Sequence, residues 1–97
     1  MSNFAVIRHY HFDKKDSDEI GNAVTEVFVP LLKGCNGFIK YYWIDNGFGE
    51  GISVGIFKTK EDGEASNSLA AEFSRNYLSG LVIQKPEITV GKILSHD

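Results

Sequence analysis

The sequence predicts an α+β domain of β-α-β-β-α-β order, a split pair of βαβ units, and three observations predict it. Four segments alternate with period two and are rich in β-branched and aromatic residues. Two further segments repeat apolar residues at helical spacing, each opened by capping residues and closed by glycine. A glycine-studded stretch joins the middle two strands directly, as in a hairpin. Right-handed crossovers then give one antiparallel sheet of strand order 4-1-3-2, with both helices on one face. At 97 residues, the whole span 1–97 makes one such domain.

Each element has its own justification. In Phe4 to Phe12, residues Phe4, Val6, Arg8, Tyr10 and Phe12 point one way; Ala5, Ile7, His9 and His11 point the other. Asp16 or Ser17 is expected to open the first helix, whose apolar stripe is Ile20, Val24, Val27, Phe28 and Leu31. Pro30 should kink or end it, and the glycines and asparagine of residues 33–37 stop it. Phe38 to Asp45 and Gly51 to Lys58 form the hairpin around "NGFGE". Thr59 is placed to cap the second helix, with Asp62 three residues on and a stripe of Ser66, Leu69, Ala70, Phe73 and Tyr77 ending before Gly80. Glu87 to Ser95 alternates as the fourth strand.

The hairpin is apolar on both faces. An even-length turn would put Ile39, Tyr41, Trp43, Ile52, Val54 and Ile56 on one face, and Phe38, Lys40, Tyr42, Ile44, Gly51, Ser53, Gly55 and Phe57 on the other. Helices cover only one face. Leaving six large side chains wet would forfeit on the order of 10 kcal/mol, so the first face calls for a partner. The simplest symmetric solution is a homodimer with two sheets packed face to face. Under the helices, Gly51, Ser53 and Gly55 admit two readings. They let a helix approach closely, or they leave a pocket lined by Phe38, Tyr42, Ser53 and Phe57, with Phe73 and Tyr77 above it on the second helix.

Composition narrows the function classes. Ten basic and thirteen acidic residues give a net charge of −3, with the cations scattered, which speaks against a nucleic-acid partner. No apolar run is long enough to span a bilayer, the N-terminal residues lack a secretory pattern, and the single Cys35 has no partner. A soluble, cytoplasmic protein is the expectation. "NGFGEG" is followed by a strand, not the helix that a phosphate loop needs, so no nucleotide site is expected. Cys35 has only Lys33 as a basic neighbour and lacks the setting of a nucleophile. His9 and His11 share a strand face about 7 Å apart, but no third ligand is evident along the chain. No metal site is therefore expected, and His96 is read as solvated.

The β-α-β-β-α-β plan, Gly37-Phe38 opening strand two, and "SVGIFKTKEDGEASN" together resemble the antibiotic-biosynthesis-monooxygenase-like family. The resemblance implies a ferredoxin-like fold assembled as a dimeric α+β barrel, with a cavity between sheet and helices in each subunit. The family includes oxygenases of aromatic polyketides that use neither metal nor flavin, and haem-degrading enzymes. The haem-degrading pattern has a tryptophan where this chain has Phe57, and a histidine on helix two, whereas residues 60–79 contain none. No cofactor is therefore expected. The polyketide oxygenases use Trp, Tyr, Asn and Arg around the cavity. By analogy Arg8 and Tyr42 are the candidate catalytic residues, with Tyr10 as another hydrogen-bond donor and Phe38, Ser53, Phe57, Phe73 and Tyr77 lining the site. Arg8 would stabilise the anion of a small aromatic or planar compound as dioxygen attacks it. In the plainer reading Arg8 pairs with a surface carboxylate and the tyrosines only pack, leaving a non-catalytic ligand-binding or interaction module.

Overall fold

A computed structural model describes residues 2–97. The elements run β1 (Phe4–His11), a 3-10 turn (Lys14–Asp16), α1 (Ser17–Ala23), a π-helical turn (Val24–Phe28), α2 (Val29–Lys33), β2 (Phe38–Asp45), β3 (Glu50–Phe57), α3 (Lys60–Tyr77) and β4 (Glu87–Lys92). The sheet is antiparallel throughout, in order β2-β3-β1-β4, which is the expected 4-1-3-2 read from the opposite edge. β4 ends three residues before the predicted Ser95.

The first helical run starts earlier than Asp16 or Ser17. The Asp13 side chain accepts a hydrogen bond from the Lys15 N–H at 3.0 Å and opens the 3-10 turn, while Asp16 makes no capping bond with its side chain. Pro30 does not end the run. It lies in the first turn of α2, immediately after the π-helical turn. A proline ring presses on the carbonyl four residues back and offers no N–H; a locally widened turn accommodates both defects, so the helix continues to Lys33. α3 begins as predicted, with Thr59 Oγ1 accepting from the Asp62 N–H at 3.1 Å. Its buried face is Gly63, Ser66, Ala70 and Phe73. The core lies between this face, the first helical run (Ile20, Val24, Phe28, Leu32), the inward residues of β1 and β3 (Val6, Tyr10, Phe57) and Phe12 just beyond β1.

The face assignment of β2 is corrected. Asp45 stands opposite Gly51, so five residues, an odd number, close the hairpin. The Asn46 side chain organises this loop, its Oδ1 accepting from the Phe48 N–H at 2.8 Å, while Gly47 and Gly49 take φ of +81° and +86°. An odd loop reverses which β2 residues share a face with Ile52, Val54 and Ile56. Tyr42 faces Val54 and Ile44 faces Ile52 on the open side, whereas Tyr41 and Trp43 turn toward the helices opposite Gly55 and Ser53. A bulge between Phe38 and Lys40 restores Phe38 to the helix side, where its ring meets Phe57 edge-on at 5.8 Å. Of the six residues expected at a partner sheet, Ile39, Ile52, Val54 and Ile56 remain on the open side; Tyr41 and Trp43 do not.

Candidate functional site

Inward-facing residues line up across the sheet. Trp43, Ser53, Arg8 and Ile88 form one row through β2, β3, β1 and β4, since Trp43 pairs with Ser53 and Arg8 pairs with both Ser53 and Ile88. This row places a guanidinium under α3. Arg8 is 1% exposed, and its partners are neutral: Nη2 donates to Ser66 Oγ at 2.8 Å and Nε donates to Asn67 Oδ1 at 3.1 Å. Ser66 Oγ in turn donates to the Gly63 carbonyl at 2.6 Å, which fixes its lone pair toward Arg8. Among the described residues no carboxylate lies within ion-pair distance of Arg8, and Nη1 makes no hydrogen bond. The surface carboxylate partner of the plainer reading is absent from this arrangement. Burial pulls the Arg8 pKa down from its ordinary value, opposed by the nearby Tyr10 and Tyr41 phenols. A buried cation with only neutral donors and acceptors around it carries a desolvation cost that an anion would offset.

Arg8 opens onto a cavity of about 470 Å³ between the β1–β4 half of the sheet and α3. α3 contributes Asn67, Ala70, Ala71, Ser74 and Arg75; the sheet contributes Arg8, Tyr10 and Ile88; Lys85 and Pro86 close one end. Its walls therefore carry three cations, Arg8, Arg75 and Lys85, and no carboxylate, in a chain whose net charge is −3. The Tyr10 hydroxyl lies beside Ser74, and burial raises its pKa. Burial likewise raises that of Tyr41, to about 12. Both phenols therefore remain hydrogen-bond donors through the neutral range. Ser53 Oγ, buried in the same row as Arg8, lies beside the Tyr41 hydroxyl but makes no hydrogen bond of good geometry among the described residues.

Arg8 lines this cavity, and the other candidates are dispersed. Tyr42 stands on the open face, 47% exposed, on the opposite side of the sheet from Arg8. Phe38 and Phe57 fill each other's space at the far end of the sheet. Phe73 stacks between Phe28 and Tyr77, with ring centroids 4.9 and 5.4 Å away, and Tyr77 is half-exposed beyond it. Ser53 is buried beneath the core and does not line the cavity wall. The glycines of β3 do not leave a void either. A Cβ on Gly51 would overlap the Trp43 ring, and one on Gly55 would press on Phe57 at 3.0 Å. The space instead comes from α3, where Asn67, Ala70, Ala71 and Ser74 present small side chains at helical spacing toward the sheet. That run of small residues in "SNSLAAEFSR" is the signal by which the cavity was legible.

No protein-family model matches the chain, and no curated protein sequence matches it. Solved structures do. A monooxygenase from the gene ActVA-Orf6 of Streptomyces coelicolor, in complex with the ligand Nanaomycin D, superposes with a TM-score of 0.80 at 9% identity, covering 99% of this chain and 91% of that one. A candidate antibiotic biosynthesis monooxygenase from Bordetella bronchiseptica gives 0.78 at 10% identity, covering 98% and 100%. A dimeric ferredoxin-like protein from an uncultured marine organism gives 0.73 at 14% identity, covering 100% and 92%. The resemblance to the antibiotic-biosynthesis-monooxygenase-like proteins thus holds over the whole chain at the level of the fold.

Proposed function

We propose that this chain binds the anion of a small aromatic or planar compound against Arg8 and oxygenates it without a cofactor, as a homodimer. The observation that carries the reading is Arg8 itself, a buried cation held only by Ser66 and Asn67 at the wall of a cavity that contains no carboxylate. The cavity walls are mostly apolar, which suits a planar ring system and keeps water from competing with the ion pair. Stabilising the deprotonated substrate raises its electron density, and dioxygen takes electrons from that anion. From a phenol, one oxygen atom enters the ring, the other leaves as water, and the product is a quinone. Tyr10 is placed to hydrogen-bond to the substrate or to the reduced oxygen as charge develops there. Of the Trp, Tyr, Asn and Arg that the family resemblance implies around the cavity, residues of the last three types, Tyr10, Asn67 and Arg8, line it here, while Trp43 packs behind Tyr10. The free thiol of Cys35 suits a reducing, cytoplasmic setting.

The test is a panel of planar phenols and hydroquinones, scored by thermal shift and by dioxygen uptake. Stabilisation of the wild type is expected to fall roughly tenfold or more in affinity in Arg8→Met, and severalfold in Arg75→Ala and Lys85→Ala, which sit at the exposed rim and spare the core. Binding that ignores all three substitutions would overturn the reading. Binding that needs Arg8 but consumes no dioxygen would leave a ligand-binding module in place of an enzyme.

A further inference from the structure

On the face of the sheet opposite the cavity, cross-strand pairing gathers four residues that the sequence keeps far apart. His11 stands directly opposite Glu50 on β3, and His9 stands between Ile52 on β3 and Glu87 on β4. Glu50 Oε2 lies 3.3 Å from His9 Nε2 and 3.7 Å from His11 Nδ1. Glu87 Oε1 lies 3.6 Å from His9 Nδ1 and 3.9 Å from His11 Nε2. All four imidazole nitrogens therefore face a carboxylate oxygen. Two neutral imidazoles own only two N–H groups, so two of these contacts set a nitrogen lone pair against a carboxylate. If Glu87 accepts both N–H groups, the lone pairs of His9 Nε2 and His11 Nδ1 converge on Glu50 Oε2, and three electron donors share one small space.

We propose that His9, His11 and Glu50 bind a divalent transition ion of the zinc type on the open sheet face, with Glu87 orienting both imidazoles. The ligand atoms of the three lie within 4.8 Å of one another. Tetrahedral zinc with bonds of 2.0–2.1 Å separates its ligand atoms by about 3.3 Å, so the cluster closes on an ion with small side-chain shifts. Two nitrogens and one carboxylate suit borderline ions such as Zn²⁺ and leave a fourth position for water or a further ligand. Glu87, 3.6 and 3.9 Å from the ring nitrogens that face away from Glu50, needs only a small shift to accept from them, and such a carboxylate fixes the tautomer of a ligating histidine. His9, His11 and Glu50 are each partly exposed in the single subunit, on the same open face as the patch proposed below for a second copy. The proposal is independent of the Arg8 cavity, which occupies the other face.

Titration calorimetry of the full chain with Zn²⁺ at neutral pH tests it, with Co²⁺ absorption as a readout of ligand geometry. One ion per chain is expected, with affinity falling about tenfold or more in His9→Ala, in His11→Ala and in the isosteric Glu50→Gln, and about tenfold to a hundredfold in Glu87→Gln. His96→Ala should change nothing. Binding should also weaken in acid, because protons compete with the ion for ligand lone pairs. No binding to the folded wild type would overturn the proposal, as would binding that survives His9→Ala together with His11→Ala. Binding lost only in His96→Ala would do the same. Circular dichroism of each variant separates loss of the site from loss of the fold.

Discussion

Arg8 and Tyr41 show how strand position sets the chemistry of a side chain. Both point inward, one from β1 and the other from β2, and burial disfavours the charged form of each. For Tyr41 the consequence is a pH dependence whose sign follows from its raised pKa. Below the ordinary tyrosine value of about 10, folded and unfolded chains both hold the phenol proton. Between that value and about 12, the unfolded chain loses its proton while the folded chain keeps it, so stability falls as pH rises. Tyr41→Phe is therefore expected to flatten the alkaline decline of the urea midpoint, leaving a smaller slope from Tyr10, whose pKa is also raised. An unchanged slope in Tyr41→Phe would mean that the phenol ionises freely in the folded state.

The elements are held by local signals of unequal legibility. Thr59 was readable because a hydroxyl just before an acidic first turn, three residues ahead of Asp62, has one obvious use, and the structure realises it with the Asp62 N–H. Thr59→Ala should lower the unfolding free energy by about 1 kcal/mol, measured by urea denaturation, with the slope of the transition unchanged. The first helical run was less legible. A proline marks a defect but does not say whether the helix stops or widens, and here packing of Ile20, Val24, Phe28 and Leu32 along one continuous face favours widening. The hairpin was least legible. One residue of loop length exchanged Tyr42 and Ile44 for Tyr41 and Trp43, and loop length is decided by the hydrogen bonds of Asn46 and the positive-φ glycines, not by strand periodicity.

For the whole molecule, the corrected register strengthens the case for assembly. Ile7, Ile39, Tyr42, Ile44 and Ile52 stand on the open side with 36–51% of their surface exposed, and Val54 sits at their centre, opposite both Ile7 and Tyr42. We propose that a second copy covers this patch. Val54→Lys should yield a monomer at micromolar concentration by sedimentation while the fold persists, because one exposed lysine disturbs no buried group. Trp43→Lys should instead unfold the subunit, since that ring packs on Tyr10 and Phe12 within the core. A wild type that sediments as a monomer would refute the proposed dimer. Among the described residues no helix is long and apolar enough to cross a membrane.

Periodicity, caps and turn residues are local properties, and they were enough to specify the β-α-β-β-α-β order, the strand order and the capping of α3. Arg8 could be named from the first strand's alternation and the family resemblance, without knowing what surrounds it. Its surroundings could not be named. The Asn67–Ser74 face of α3 meets Arg8 only because a crossover helix lies across β1, and no spacing along the chain encodes that contact. The pairing of His9 and His11 with Glu50 and Glu87 is hidden for the same reason. Strand neighbours supply the missing carboxylates, 39 residues from His11 to Glu50 and 78 from His9 to Glu87, across a register that hydrogen bonding between strands alone selects.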